Sequence, residues 1–351
     1  MDHFYVCIMA GGSGERFWPL SRQTTPKHLL RLFSEATLLE ETVNRVQLVV
    51  PSENIFVLTN AAQLEMTRQV LSDLPSGNIV AEPAKRDTAP ATALGTALAH
   101  RRDPNAVVGF LPADALIQPG ELFAHQLADA AEMARLHCAI VTFSIKPTRP
   151  ATGFGYLNLG EPLGTTGGTA FRQVLRFVEK PDEPTAQEYV DSGNYGWNAG
   201  MFLWQCGTYL EEARRLQPEL AEFVEKFPAG DFSTYLLGHF PELTKISVDY
   251  AIMEKANNVI AAEARFDWND VGTWTALPEH LGRDPEGNCV KGDAITHEAT
   301  GNIVFSQKRI VALQGVHDLV VVETEDAILI CHKEQAQHIK QLQQWLPEEV
   351  K

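Results

Sequence analysis

Short apolar runs alternate with longer amphipathic segments over residues 1–145. The runs read as β-strands, whereas the longer segments repeat apolar residues at helical spacing. The predicted strands are Tyr5–Met9, Ile55–Thr59, Asn78–Ala81, Ala106–Leu111 and Ala139–Ser144. The predicted helices are Leu38–Val49, Ala61–Leu71, Thr88–Arg101 and Leu122–His137. Strands and helices that alternate in this way form right-handed crossovers, so we expect an α/β fold with a mainly parallel sheet and ligands at the carboxyl ends of its strands.

The pattern changes after about residue 150. The predicted strands here are GFGYLNLG, VLRFVEKP and MFLW, and the predicted helices are Pro184–Asp191 and Thr208–Phe227. This pattern predicts an inserted region over about residues 150–240. Gly, Pro and Asp then cluster between residues 284 and 292, so we expect one domain over 1–284 and a small β-rich domain over 285–351. The elements predicted in the second domain are the strands Asn302–Phe305, Ile310–Leu313, Leu319–Glu323 and Ala327–Cys331 and a closing helix, Lys333–Trp345.

Charge and composition exclude several classes of protein. The 351 residues carry a formal net charge of −16, which opposes binding to nucleic acid or to an anionic membrane. No apolar run reaches the ~18 residues of a membrane-spanning helix, and the N-terminus lacks the basic start of a secretion signal. We therefore expect a cytoplasmic protein. Its five cysteines form no CxxC pair, so neither a disulfide framework nor a zinc site is predicted.

A glycine-rich loop follows the first predicted strand, in AGGSGERFWPLSRQTTPKHLL. The bare backbone of Gly11, Gly12 and Gly14 can approach phosphate oxygens closely. Three cations, Arg16, Arg22 and Lys27, come directly afterwards. The loop matches neither the Walker motif nor the dinucleotide fingerprint. A solvated glycine turn is the alternative interpretation, but the three cations favour phosphate binding.

GGSGERFWPLSR followed by PKH resembles the signature of the sugar-1-phosphate nucleotidyltransferases, specifically the mannose-1-phosphate guanylyltransferases. The resemblance implies a Rossmann-like nucleotidyltransferase fold and a small C-terminal β-helical domain often used for dimer contacts. It also implies that Arg16 contacts the leaving pyrophosphate and that Lys27 bridges the phosphates being separated. His28 stands where the family usually has glutamine.

EPAKRDTAP, residues 82–90, resembles the family's EPxxRNTAP and lies between a strand and a helix, where the base is expected. A carboxylate such as Glu82 can accept hydrogen bonds from both N1–H and the 2-amino group of guanine. We expect Glu82, Arg86 and Thr88 to contact the nucleotide. Asp87 and Thr88 are equally suited to capping the following helix.

Two aspartates resemble the family's metal ligands. Asp114 in LPADALI follows a wholly apolar strand, at the end where a ligand for Mg²⁺ is needed. Asp270 lies in FDWNDVGTW, whose DWxDxGxW pattern also matches the family. The resemblance implies that Asp114 and Asp270 hold magnesium against the α-phosphate, although either could be a turn residue.

Three further segments resemble the parts of a sugar-binding pocket. They carry both hydrogen-bond donors and acceptors, and sugar hydroxyls require both. Their candidate residues are Gly155 and Tyr156 in GFGY, Glu179 and Lys180 in FVEKP, and Asn198 and Gly200 in WNAGMF. An isolated Glu-Lys pair on a strand is more often simply solvated, and here its neighbours favour a role in binding.

Together these motifs predict that the chain transfers GMP from GTP to mannose 1-phosphate, releasing pyrophosphate without a covalent intermediate. We expect Mg²⁺ as cofactor, a homodimer, and one activity. The same chemistry with another base or sugar, such as thymidylyl or uridylyl transfer to glucose 1-phosphate, is the nearest alternative. An inactive sugar-nucleotide sensor is a second alternative, but it would be expected to lose Lys27, Asp114 or Asp270.

Overall fold

The computed structural model describes residues 3–12 and 14–350, and a twisted sheet of nine strands is the centre of that part of the chain. The strands up to residue 269 are β1 (Phe4–Met9), β2 (Ile55–Asn60), β3 (Ile79–Glu82), β4 (Val107–Pro112), β5 (Leu116–Gln118), β6 (Ile140–Ile145), β7 (Tyr156–Thr166), β8 (Thr169–Val178), β9 (Tyr195–Gln205), β10 (Val259–Glu263) and β11 (Asp267–Asn269). The order in the large sheet is β3-β2-β1-β4-β9-β6-β10-β8-β7. β1 to β4 pair in parallel, as do β6 and β10, while β7, β8 and β9 pair antiparallel with their neighbours. The predicted mixed, mainly parallel α/β fold is confirmed.

Helices cover both faces of this sheet. They are α1 (Leu38–Gln47), α2 (Leu64–Val70), α3 (Thr88–His100), α4 (Gly120–His137), α5 (Glu183–Ser192), α6 (Cys206–Leu216), α7 (Pro218–Glu225), α8 (Ser233–His239) and α9 (Pro278–Leu281). Successive residues of a strand point to opposite faces, so Cys7 of β1 packs in the core with α3, α6 and α7, whereas Val6 and Ile8 pack in the core with α1 and α4. β1 is thus buried on both sides, which explains its continuous apolar sequence.

Two predicted helices differ from the structure. The single helix predicted over Thr208–Phe227 is two helices, α6 and α7, because Pro218 starts a new helix and the preceding Gln217 leaves the helical conformation. The closing helix predicted over Lys333–Trp345 is mostly tight 3₁₀ turns around one short α-helix, α10 (Ile339–Leu342). Thr37 and Glu40 form a capping box at the start of α1.

The C-terminal part is a small stack of short strands. They are β12 (Cys289–Lys291), β13 (Ala294–His297), β14 (Ile303–Ser306), β15 (Val311–Gln314), β16 (Leu319–Glu323) and β17 (Ile328–His332). β12, β14 and β16 stack in parallel on one side and β13 and β15 on another, while β17 closes the first stack antiparallel. Asn302 donates from its backbone to Asn288 at 2.9 Å and accepts from Leu319 at 3.0 Å, so buried amides link successive coils. The predicted β-helix-like domain is confirmed.

This β-rich part shares a core with the segment after the glycine loop. Phe17 packs on Trp274 with ring centroids 5.1 Å apart, and Trp274 packs on Phe305 at 5.7 Å. Trp18 lies in the same cluster and donates its indole N–H to the carbonyl of Val350 at 2.7 Å. The two parts of the chain are therefore joined by buried apolar contacts. Among the described helices, none has the length and apolar character to cross a lipid bilayer.

Candidate active site

The glycine loop holds Lys27 against its own backbone. Gly14 has a φ of 64°, and a Cβ at this position would lie 2.3 Å from the Cβ of Lys27, so any side chain here would collide with Lys27. Ser21 donates from Oγ to the Gly14 carbonyl at 2.8 Å. Lys27 itself begins a single 3₁₀ turn and is only 6% exposed. The loop therefore sets the position of one buried ammonium group.

That ammonium group joins the two predicted aspartates. Lys27 Nζ donates to Asp114 Oδ2 at 2.9 Å and to the backbone carbonyl of Asp270 at 2.5 Å. Burial raises the pKa of Asp114, but the charge and hydrogen bond of Lys27 outweigh it and hold that pKa below its usual value. Asp114 is therefore ionised at neutral pH and forms a salt bridge with Lys27.

Asp270 lies just after β11 in a strained turn. Val271 adopts a φ of 47°, a region that β-branched residues rarely occupy, and its N–H donates to Asn269 Oδ1 at 2.8 Å. Such a conformation costs on the order of 1–3 kcal/mol and is concentrated at functional sites. Burial raises the pKa of Asp270, Lys27 lowers it and Asp114 raises it, with a net increase. The two carboxyl groups and the ammonium group thus interact at one place.

A cleft of about 1160 Å³ opens beside Asp270. Residues on its walls include Arg16, Arg149, Lys180, Asp270, Trp197 and Trp268. Arg16 reaches it from the turn after the glycine loop and is exposed. A cleft with three cations around a carboxylate suits a substrate that carries several phosphate charges.

The predicted base-binding motif follows β3. Glu82 is the last residue of β3, and burial raises its pKa to about 7. Arg86 donates a hydrogen bond to the Pro241 carbonyl. Asp87 caps α3 by accepting from the Thr88 N–H at 3.0 Å. Thr88 Oγ1 in turn accepts from the Val248 N–H at 2.9 Å, so this side chain also holds the segment before residue 250.

The predicted sugar residues lie on β7 and β9 or directly next to β7 and β8, and β7 is hydrogen-bonded to both β8 and β9. A Cβ on Gly155 would lie 2.6 Å from Glu179 Oε2, so a side chain here would displace that carboxylate. Glu179 pairs with Lys180 at 2.7 Å. Tyr156 is fully buried and pairs across the strands with Trp197, the residue before Asn198.

Asn198 has a fixed orientation. Its Oδ1 accepts from Thr142 Oγ1 at 2.9 Å and from the Gly200 N–H at 3.2 Å, and its Nδ2 donates to Asp249 Oδ1 at 3.4 Å. Gly200 has a φ of 67° with open space at its Cα, which indicates a conformational requirement for glycine.

Sequence reasoning missed two groups at this site. Asp249 accepts a hydrogen bond from Asn198. Burial, together with the charge of Glu179, raises the pKa of Asp249 to about 7. Arg149 lies on the cleft wall. Asp249 has no sequence signal apart from its segment, VDYAIMEK. Arg149 lies four residues before the start of the recognised GFGY segment and is the only cation in PTRPATGFGY.

Arg22 lies apart from the cleft-lining cations. It donates to the Pro19 carbonyl and pairs with Asp326 of the β-rich part at 2.8 Å. Gly11 and Gly12 are exposed, with open space at their Cα atoms. The structure therefore brings Arg16, Lys27, Asp114 and Asp270 together and places Arg22 at the contact with the C-terminal part.

Two protein-family models match the chain. The model described as nucleotidyl transferase matches residues 5–284, and the model described as MannoseP isomerase/GMP-like beta-helix domain matches residues 292–346. A solved structure from Thermus thermophilus, named mannose-1-phosphate geranyltransferase, superimposes with a TM-score of 0.88 at 35% identity, covering 98% of this chain and 99% of that one.

Curated relatives match over nearly the whole chain. The mannose-1-phosphate guanylyltransferase of Klebsiella pneumoniae is 37% identical over 346 residues, which is 97% of this chain and 73% of that protein. The xanthan biosynthesis protein XanB of Xanthomonas campestris pv. campestris (strain B100) is 39% identical over 350 residues, again 97% of this chain and 73% of the relative. The chain belongs to the nucleotidyl transferase family and, within it, to the mannose-1-phosphate guanylyltransferases.

Proposed function

We propose that the protein transfers GMP from GTP to mannose 1-phosphate and forms GDP-mannose and pyrophosphate. The observation that carries the proposal is the buried Lys27 ammonium, which hydrogen-bonds Asp114 and the Asp270 backbone beside a cleft lined by Arg16. Two aspartates joined by an ammonium group, beside a cleft lined by further cations, suit phosphoryl-group chemistry, which requires positioning and charge neutralisation. The names of the relatives indicate that the base is guanine and that the sugar is mannose.

The proposed reaction needs no covalent intermediate. An oxygen of mannose 1-phosphate attacks the α-phosphorus of GTP, and the bond from that phosphorus to the bridging oxygen breaks. The bond electrons leave with pyrophosphate. Lys27 and Arg16 would stabilise the negative charge that develops as this bond breaks, because preorganised cations in a cleft act without reorganisation.

The donor set of the site fits a divalent cation, and we propose Mg²⁺. Asp114 and Asp270 offer hard oxygen ligands, and Mg²⁺ is commonly held by one or two carboxylates together with substrate phosphates and water. Among the described residues, no three His, Cys, Asp or Glu side chains form a complete metal site, so phosphate oxygens would have to complete it. Bound Mg²⁺ would neutralise phosphate charge.

A pyrophosphate-release assay over four nucleoside triphosphates and several sugar 1-phosphates tests this function. We expect GTP with mannose 1-phosphate to give the highest kcat/KM. A preference for dTTP or UTP with glucose 1-phosphate would support the alternative base and sugar. Tight binding of a sugar nucleotide without any pyrophosphate release would support an inactive sensor and contradict the proposal.

Glu82→Gln should lower kcat/KM for GTP at pH 8, because an amide oxygen accepts but its NH₂ cannot accept from guanine. The pKa of about 7 adds a pH dependence with a defined sign. Guanine binding requires the ionised carboxylate, whose fraction rises roughly tenfold between pH 6 and pH 8 for such a pKa. The ratio of wild-type to variant kcat/KM should therefore rise with pH over this range.

The exposed Glu161→Gln variant is the matched control and should follow the wild-type protein at every pH. Using the ratio cancels the titration of GTP itself, which affects all the proteins equally. A ratio that stays constant with pH would show that Glu82 does not read the base.

We also propose that the C-terminal part forms a homodimer contact. A groove of about 540 Å³ is lined mainly by apolar residues of β15 to β17. Its lining includes Ile310, Ile328 and Ile330, which are 67%, 57% and 64% exposed. β17 is an edge strand of its sheet, so its outer side is open to pairing. Apolar side chains around an open edge are typical of an interface, and a second copy of the chain is the proposed occupant.

Ile330→Asp should convert the dimer into a monomer, because a carboxylate would be buried without a partner in the interface. Light scattering measures the mass directly. Leu237→Asp on α8, at a residue 67% exposed and outside this groove, is the matched control. A wild-type protein that is monomeric, or an Ile330→Asp protein that remains dimeric, contradicts the assignment.

We propose that the protein acts in the cytoplasm, on small molecules and without nucleic acid or membrane as partner, since its net charge is −16. We also propose functional bounds of 1–284 for the catalytic domain, with its sugar-binding insertion over about 150–240, and 285–351 for the dimerisation element.

A further inference from the structure

The C-terminal part contacts the active-site loop through an ion pair that the proposed mechanism does not use. Arg22 lies between Gly14 and Lys27 in the sequence, and its Nη2 donates to Asp326 Oδ1 at 2.8 Å. Asp326 belongs to the turn between β16 and β17, 304 residues further along the chain. The pair therefore joins the loop that leads to Lys27 to the β-rich part of the molecule.

Arg22 closes the last turn of this loop. Its backbone N–H donates to the Thr25 carbonyl at 2.9 Å, and the Thr25 N–H donates to the Arg22 carbonyl at 3.2 Å. Its guanidinium also donates to the carbonyls of Pro19 and Ser21. Arg22 thus bonds to three other residues of the loop, and Lys27 follows Thr25 by only two positions. A shift of Arg22 would therefore be transmitted to Lys27.

The Arg22 guanidinium is largely shielded from water. Its side chain is 16% exposed, and its central carbon lies 5.8 Å from the centroid of the Trp18 ring. Ion pairs between fully exposed side chains contribute little, because water screens them and both side chains must be immobilised. The Arg22 side chain is already immobilised by the loop and by Trp18, so Asp326 pairs with a fixed and partly desolvated charge.

Asp326 lies on a turn that is itself well fixed. It accepts a hydrogen bond from Thr324 Oγ1 at 3.0 Å. Arg309 donates to the Thr324 carbonyl at 3.1 Å and pairs with the buried Glu323 at 2.9 Å. Desolvation raises the pKa of Asp326, but the hydrogen bonds from Arg22 and Thr324 outweigh it and hold that pKa below its usual value. A rigid part of the β-rich domain therefore presents an ionised carboxylate to the loop.

We propose that Asp326 is a positioning residue of the active site, which holds Arg22 so that the loop keeps Lys27 in place for the reaction. The inference rests on the proposed function, since that function assigns Lys27 to the reacting phosphates. It gives the C-terminal part a second role besides the proposed dimer contact. It also gives Arg22 an indirect role in place of the nucleotide contact predicted from its position in the sequence.

Steady-state kinetics of Asp326→Ala and Glu325→Ala test the assignment. Glu325 precedes Asp326 on the same turn, but its carboxylate pairs with Lys308 of the β-rich part at 3.0 Å, so its variant is the matched control. We expect Asp326→Ala to lower kcat roughly tenfold, because a displacement of about 1 Å can cost up to ~10²-fold in rate. The KM for mannose 1-phosphate should stay unchanged, since the loss concerns the chemical step. Glu325→Ala should match the wild-type protein, and equal kcat values for the two variants overturn the inference.

A double-mutant cycle with Arg22→Met separates positioning from a general loss of stability. If Asp326 acts through Arg22, the double variant should have the kcat of Arg22→Met alone, because the second change removes nothing further. Losses that multiply overturn the inference. A loss of kcat equal to the unfolded fraction at the assay temperature, or an Asp326→Ala protein of lower mass than the wild type in light scattering, overturns it as well. If Arg22→Met fails to fold, the comparison of Asp326→Ala with Glu325→Ala decides.

Hydrogen exchange tests the same contact without relying on turnover. The backbone N–H groups of Ser21, Arg22 and Thr25 are bonded within the loop, so they exchange with solvent when the loop opens. We expect these amides to exchange faster in Asp326→Ala than in Glu325→Ala, which should match the wild-type protein. Equal exchange in the two variants overturns the inference. A wild-type protein without turnover on any sugar 1-phosphate would overturn the proposed function, and the exchange rates would still decide whether Asp326 holds the loop.

Discussion

Lys27→Met should lower kcat by roughly 10²–10³-fold, which is the usual loss when one preorganised electrostatic contact to a reacting group is removed. Lys27 is the group that the glycine loop positions, and it joins Asp114 to the Asp270 backbone. Methionine keeps the alkyl stem over the Phe17 ring, which the ammonium approaches to 5.9 Å. We therefore expect the packing to survive and the chemistry to be lost, as measured by pyrophosphate release.

The fold of this variant must be checked separately. The Asp114 side chain is 43% exposed, so water can reach part of its carboxylate once the ammonium is gone, while the buried part loses its partner. Thermal melting should consequently change by only a few degrees. The exposed Lys255→Met serves as the matched control and should keep wild-type turnover. A Lys27→Met protein that turns over like the control would remove Lys27 from the mechanism.

Asp114→Asn and Asp270→Asn should each remain folded, require much more magnesium and lose most of their turnover. Replacing either carboxylate by an amide preserves its size but removes a charged ligand from the proposed metal site. If the two residues only formed turns, the change would cost about 0.5 kcal/mol or less, because Asp and Asn cap equally well. The two hypotheses therefore predict effects that differ by orders of magnitude in rate.

Magnesium titrations of pyrophosphate release measure this difference. Asp73→Asn, at an exposed surface position, is the control for a lost carboxylate elsewhere. Both active-site variants should have magnesium curves shifted to higher concentration, whereas the control should overlay the wild-type curve. Superimposable curves and equal rates for all four proteins would exclude Asp114 and Asp270 as metal ligands.

Local sequence patterns predicted eight of the nine strands described for the large sheet and missed β10, which lies between β6 and β8. β1 is buried on both faces, so its sequence is apolar throughout and easily identified. The helix predicted over Thr208–Phe227 was wrong because apolar periodicity continues through Pro218, although proline there restarts the helix. The C-terminal turns around α10 were also misjudged, because their apolar side chains pack with residues far away in sequence, such as Trp274.

The site was predictable where a motif is contiguous. The loop from Gly14 to Lys27 is one segment, and the structure brings its two ends into contact. Asp249 and Arg149 were not found because their partners, Asn198 and Trp197, lie on β9 and meet them only through the sheet and its connections. The assignment of Arg22 to the nucleotide rested on proximity in sequence, and its observed partner, Asp326, is distant in sequence.

The packed rings of Phe17, Trp274 and Phe305 have a consequence for the order in which the protein assembles during translation. A ribosome adds ~5–20 residues per second, so Phe305 is made roughly 15–60 s after Phe17. Until then the turn that carries Arg16 lacks its buried partners, and Phe17 and Trp18 remain available to chaperones or to aggregation. The catalytic loop is encoded first but is completed among the last parts of the molecule.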